Sequence, residues 1–151
     1  MVRDYIYDIV PKPCRHFIGR ENDLEQIHKV LKENDKVFLT GVAGIGKSEL
    51  AKMYAQKYKN EYTNILYLRY CENLKQMIAD CDFADDTDNN ADSRFERHSR
   101  FFRSLKEDTL IIIDNFDIVP TPESGFDDIM QYRCKILFTT RCRFRNMPNM
   151  N

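Results

Sequence analysis

The chain has 151 residues, of which 42% are hydrophobic, 31% charged and 12% aromatic, a mix that suits one globular domain with a real core. Lys and Arg number 23 against 24 Asp and Glu, a formal net charge of -1, which excludes a chain-wide basic field for gripping nucleic acid. No apolar run approaches the roughly 18 residues of a membrane span, and Met1-Val-Arg-Asp-Tyr5 lacks the apolar core of a secretory signal, so a cytoplasmic protein is expected.

Residues 1–16 carry Pro11 and Pro13, show no period, and read as an extended lead-in to a domain expected over 17–145. From Phe17-Ile18-Gly19-Arg20-Glu21 a helical pattern opens, with Leu24, Ile27, Val30 and Leu31 at i, i+3, i+6 and i+7. Lys36-Val-Phe-Leu-Thr40 is a short apolar run and reads as a buried strand. A loop over 41–46 leads to a second helix from Lys47, with Leu50, Ala51, Tyr54 and Tyr58 on one stripe. Asn64 to Tyr70 reads as the second strand and Asn73 to Ala79 as a short helix.

Residues 80–92 contain six aspartates and no Lys or Arg, the composition of a solvated, mobile loop. Asp86-x-Asp88-x-Asn90 begins like a calcium loop, but its sixth position is Ala91 instead of Gly and its twelfth is Arg97 instead of Glu. A helix is expected from Ser93 to Lys106, with Phe95, Phe102 and Leu105 inward. Thr109 to Asp114 is the third strand, apolar on both faces and ending in an acid. Pro120 and Pro122 mark a turn before a short helix near Phe126 to Tyr132, and Lys135 to Arg141 is the fourth strand. The last ten residues show no period, and 146–151 read as a tail. Uniformly apolar strands alternating with helices predict an α/β fold whose parallel sheet is covered on both faces.

Three of the five glycines fall at Gly41, Gly44 and Gly46, so the glycine is spent on one backbone feature. Gly41-Val-Ala-Gly-Ile-Gly-Lys-Ser48 has the form G-x-x-x-x-G-K-S, between a strand and a helix. Such a loop curls its N–H groups around phosphate oxygens, and the helix start adds its dipole. Lys47 is placed to reach β- and γ-phosphates, and the Ser48 hydroxyl to ligate Mg²⁺. Asp114 ends its strand at the same carboxyl edge, where it can hold Mg²⁺ directly or through water; otherwise it is an acid that starts a turn.

Asn115 stands where a water-activating carboxylate often follows the metal acid, and an amide cannot take a proton. Asp117 is the nearest alternative base, or else a turn residue. Arg141 ends the fourth strand and can fork onto a γ-phosphate; the alternative is a solvated basic tail with Arg143 and Arg145. His16, His28 and His98 have no ligand partner at i+3 or i+4 and read as surface or helix-side residues. The five cysteines never form C-x-x-C, so free thiols are expected instead of a zinc site, with Cys71 and Cys81 inert.

Phe17-Ile-Gly-Arg-Glu-Asn-Asp-Leu24 resembles the h-h-G-R-E-x-x-L box of the STAND class of P-loop NTPases, which includes NB-ARC and NACHT modules. Gly41 to Leu50 resembles its Walker A, Leu110 to Asp114 its Walker B, and Lys135 to Arg141 the strand carrying the sensor-1 arginine. The resemblance implies a P-loop NTPase fold with sheet order 2-3-4-1, of ASCE type. It places Ile18 and Arg20 near the adenine. It puts the backbone of Ala43, Gly44, Ile45, Gly46, Lys47 and Ser48 around the phosphates, with Glu49 beside them. The implied cofactors are ATP or ADP with Mg²⁺, and the implied role is a signalling switch with slow hydrolysis. ATP is favoured over GTP, since an N-K-x-D guanine box is missing.

Members of the class continue into a fifth strand, a helical lid, a winged helix and sensor repeats. The expectation is therefore a fragment of a longer protein. Those domains would be its partners, with a nucleotide-dependent oligomer and no direct binding of nucleic acid. The same expectation leaves the strand ending at Thr40 as an unpaired edge. Two rival readings are an AAA+-type motor ATPase and a non-hydrolysing interaction scaffold with a degenerate site.

Overall fold

A computed structural model describes residues 21–40, 46–70, 74–79, 91–117, 126–141 and 149–150. The lead-in, Ile18, Arg20, the loop residues Ala43, Gly44 and Ile45, and residues 80–90 of the acidic segment lie outside the described residues. So do Pro120, Pro122, His16, Cys14, Cys71, Cys81 and Cys142. In chain order the elements are α1 (Glu21–Glu33), β1 (Lys36–Thr40), α2 (Lys47–Lys57), a 3-10 turn (Lys59–Glu61) and β2 (Asn64–Arg69). They continue with α3 (Leu74–Ala79), α4 (Ala91–Arg103), β3 (Thr109–Asp114), α5 (Phe126–Met130), β4 (Lys135–Thr140) and β5 (Asn149–Met150).

The local signals agree with these limits. Glu21 and Asp23 fill the first turn of α1 and Lys32 its last, each matched to the sign of the helix dipole. Asn34 then ends the helix, giving both its N–H and its side-chain amide to the Val30 carbonyl, at 2.8 and 3.2 Å. α4 begins at Ala91, so the last two residues of the segment read as acidic loop are helical instead. It stops at Arg103, short of Lys106, because Ser104 and Leu105 bond three residues back and tighten the turn.

The five strands lie in the order β2-β3-β4-β1-β5 and every pairing is parallel. Both faces are covered. Leu110 and Ile112 of β3 face the layer of α1 and α2, packed with Leu24, Ile27, Leu50 and Tyr54. Ile111 and Ile113 face the opposite layer, with Leu74 of α3, Phe102 of α4 and Ile129 of α5. Side chains alternate along a strand, so a strand buried on both sides must be apolar at every position. Burying each such Leu or Ile contributes about 1.5–3 kcal/mol, and β3 has no exposed residue.

Two expectations are corrected. β1 is not an edge: β5 pairs with it at Phe38↔Asn149 and Leu39↔Met150, and takes up backbone groups that β4 leaves open. His98 is neither on the surface nor solvated beside its helix. It is 0% exposed, and its Nδ1 lies 2.7 Å from the Ile78 carbonyl, so that α3 holds it inside the core. His28 is half-buried, 2.8 Å from the Tyr54 hydroxyl and stacked on Tyr58. Among the described residues no helix is long and apolar enough to cross a membrane.

Candidate functional site

In a parallel sheet all strands end on one edge, and here β1, β3 and β4 deliver three different chemistries to it. Thr40 pairs with Thr140 and Ile113 with Phe138, so the ends of β1, β4 and β3 are level. A cleft of about 280 Å³ opens there, lined by Gly46, Lys47, Ser48, Glu49, Asn115, Asp117, Thr140 and Arg141. Seven of the residues singled out in the sequence (Gly46, Lys47, Ser48, Glu49, Asn115, Asp117 and Arg141) thus line one cleft.

Gly46 enters α2 with φ 84° and ψ 24°, the left-handed conformation that a side chain disfavours. No side chain caps the helix, and the Leu50 N–H bonds the Gly46 carbonyl at 2.8 Å to start the ladder. A helix start without a capping side chain, opening on a cleft, favours an anion. Lys52 lies behind it, 3.3 Å from Glu49 Oε1 and 5.9 Å above the Tyr67 ring.

Asp114 does not line the cleft. It is 1% exposed, beneath a cover of three hydroxyls. Ser48 Oγ and Thr139 Oγ1 each donate to Oδ1 at 2.6 Å, and the Tyr67 phenol donates to Oδ2. Burial alone would push the carboxyl up. The three donors, with the Arg69 guanidinium nearby, outweigh it and hold Asp114 below its usual range. Burial and the bond to Asp114 push the Tyr67 phenol up, which keeps it a donor. Asp114 therefore stays ionised and reaches the cleft through Ser48.

The chain leaving β3 is fastened to β4. Asn115 has φ 59°, a left-handed conformation that Asn tolerates better than most residues. Its N–H donates to Thr139 Oγ1 at 2.9 Å, and the Phe116 N–H to the Thr139 carbonyl at 2.8 Å. Phe116 is fully buried against Tyr70 and Phe138, with ring centroids at 5.0 and 5.1 Å. This turn sets Asp117 opposite Arg141. Asp117 Oδ1 accepts the Arg141 backbone N–H at 2.7 Å, and Oδ2 lies 3.3 Å from Arg141 Nε.

Ser48 and Asp114 offer oxygen atoms only, the donors a hard cation such as Mg²⁺ takes. Among the described residues no group of three His, Cys, Asp or Glu converges on a metal. A cation here would draw its other ligands from water and from a bound phosphate. Tyr67 and Thr139 were not assigned from sequence. Thr139 had a signal, since a hydroxyl ends a strand beside the one that ends in Asp114. Tyr67 had none, because tyrosine is an ordinary strand residue.

A family model described as Novel STAND NTPase 3 (nSTAND3) matches residues 20–112. The matched span contains the glycine motif and all elements from α1 to α4, and ends inside β3. No curated protein matches the chain.

Proposed function

The chain belongs to the novel STAND NTPase 3 family, and from that premise we propose that it is the nucleotide-binding module of a switch that takes ADP or ATP with Mg²⁺. One observation carries the reading: the first turn of α2, which follows the glycine motif, is joined to the end of β3 by the 2.6 Å bond from Ser48 to Asp114. That bond sets an ionised carboxylate directly behind a hydroxyl that lines the cleft together with Lys47, at the carboxyl edge of the sheet. β4 lies between β1 and β3, an arrangement that supports the ASCE type of P-loop fold.

In this reading the amides of the glycine loop and the start of α2 hold the phosphates. Lys47 adds a charge for the β- and γ-oxygens. Ser48, held by Asp114, and Asp114 behind it would hold Mg²⁺, which would supply positive charge against the phosphates. Arg141, at the end of β4, distinguishes a triphosphate from a diphosphate. Asn115 lines the cleft and cannot accept a proton, which supports slow turnover and a switch over a motor. A switch of this kind responds only to the difference in affinity between its states.

The test is an equilibrium titration of the chain with ADP and with ATP, each with Mg²⁺. Binding of both, lost by about tenfold or more for ATP in Lys47→Ala with unchanged circular dichroism, is the expected result. Equal ATP affinity in the variant would remove the phosphate role of Lys47. No binding by the unaltered chain would leave the scaffold reading.

A further inference from the structure

We propose that Asp117 is a latch on Arg141 that lowers the affinity for ATP and not for ADP, so that it sets the resting preference of the switch. This rests on the nucleotide reading above and deepens it. Asp117 was a candidate base on sequence grounds alone. Its contacts give it another task.

The carboxylate engages Arg141 twice, through the backbone N–H at 2.7 Å and through Nε at 3.3 Å. It is placed there by a rigid turn: Asn115 and Phe116 are both bonded to Thr139, the Asp117 N–H bonds the Asn115 carbonyl at 2.8 Å, and Phe116 is fixed in the core. Arg141 is held less firmly, since its side chain is 60% exposed while that of Asp117 is 27% exposed. The arginine is therefore the partner able to leave. The Nε–H that points at the carboxylate cannot point at a phosphate in the same side-chain position, so a bidentate grip on a phosphate through Nε requires Arg141 to leave Asp117.

Both residues line the cleft with Lys47 and Ser48. A γ-phosphate entering it would compete with Asp117 for Arg141. A diphosphate ends one phosphoryl group short of that competition. The exchange leaves the carboxylate one hydrogen-bond donor. When Arg141 moves to the phosphate, Asp117 keeps the backbone N–H of the same residue, so the carboxylate is not stranded without a donor. An ion pair this exposed is modest in energy, which suits a latch that a ligand must open.

The experiment measures ATP and ADP affinity, both with Mg²⁺, for the unaltered chain, Asp117→Asn, Arg141→Ala and the double variant. Asn keeps an acceptor for the Arg141 amide and removes the charge, so the turn is preserved. The expected result is an ATP affinity raised about threefold to tenfold in Asp117→Asn, with ADP affinity within twofold. In the Arg141→Ala background the same substitution should give less than a third of that gain, since the latch then has nothing to hold.

A gain that persists undiminished without Arg141 would mean simple charge repulsion of the γ-phosphate, and would overturn the latch. No gain, or ADP and ATP shifting together, would overturn it as well. A loss of turnover at unchanged affinity would return Asp117 to the role of base. If the unaltered chain binds neither nucleotide, the nucleotide reading itself fails. Binding with an unchanged ATP-to-ADP ratio in Asp117→Asn removes the latch alone.

Discussion

Tyr67 and Asp114 stand on neighbouring strands, and the phenol of one donates to Oδ2 of the other. The two oxygens of Asp114 are thereby divided. Oδ1 takes Ser48 from α2 and Thr139 from β4, each at 2.6 Å, while Oδ2 takes β2. Three elements are tied to a carboxylate carried by a fourth, β3. The hydroxyl of Tyr67 fixes the plane of the carboxyl group and so the direction in which Ser48 is held.

Tyr67→Phe keeps the ring and removes this donor. ADP binding in EDTA should be unchanged. The Mg²⁺ concentration that half-saturates ATP binding should rise about threefold to tenfold, the scale of one hydrogen bond to a charged group. A Mg²⁺ titration of ATP binding reads this directly. An unchanged midpoint would assign Tyr67 to packing only.

The ionisation of Asp114 predicts a pH dependence with a definite sign. Its donors hold the folded carboxyl below its usual range, so the folded state binds fewer protons than the unfolded state in acid. The stability this confers is complete above the unfolded carboxylate value of about 4 and is lost as pH falls through the folded value. Urea unfolding of the chain and of Asp114→Asn should show a constant difference from pH 5 to 7. Below about pH 4 the difference should move against the unaltered chain. A constant difference down to pH 2 would contradict the assignment.

Lys36 predicts a purely structural loss. It opens β1, is 6% exposed, and donates to the carbonyls of Tyr132 and Cys134, the latter at 3.1 Å. Burial pushes its ammonium group down, with Asp35 and Cys134 opposing. Lys36→Met keeps the apolar stem and strands both carbonyls. Unfolding free energy should fall by about 1–3 kcal/mol. Nucleotide affinity should not change, because Lys36 lies at the end of the strands remote from the cleft. A variant as stable as the parent would show that water replaces the ammonium.

β1, β3 and β4 were legible because each is buried on both faces and so reads as a short continuous apolar run, such as Leu110 to Ile113, while β2 has one half-buried face and was legible from its Ile65-Leu-Tyr-Leu68 run. The cleft was legible because Gly46, Lys47 and Ser48 form a motif whose backbone geometry and chemistry both depend on residue type. What stayed hidden has a common cause. β5 is held at Asn149 and Met150 by backbone pairing, which any side chain permits. His98, Lys36 and Tyr67 each satisfy a polar atom on a distant element, and neither period nor composition records a tertiary partner. Asp117 could be located but not interpreted, since only the fold brings Arg141 against it.

The strand order also sets a schedule for synthesis. Lys36 of β1 pairs with Ile136, a hundred residues later, and Phe38 pairs with Asn149. β2 and β3 can join each other earlier, but β1 has no strand neighbour until residues 135–140 have been made. The strand that precedes the glycine motif thus waits longest, with Val37, Phe38 and Leu39 uncovered. Long-range parallel pairing of this kind folds slowly. For the nascent chain the apolar β1 lacks a strand neighbour until β4 has been made, and a product that stops before residue 135 lacks β4 and cannot close its sheet.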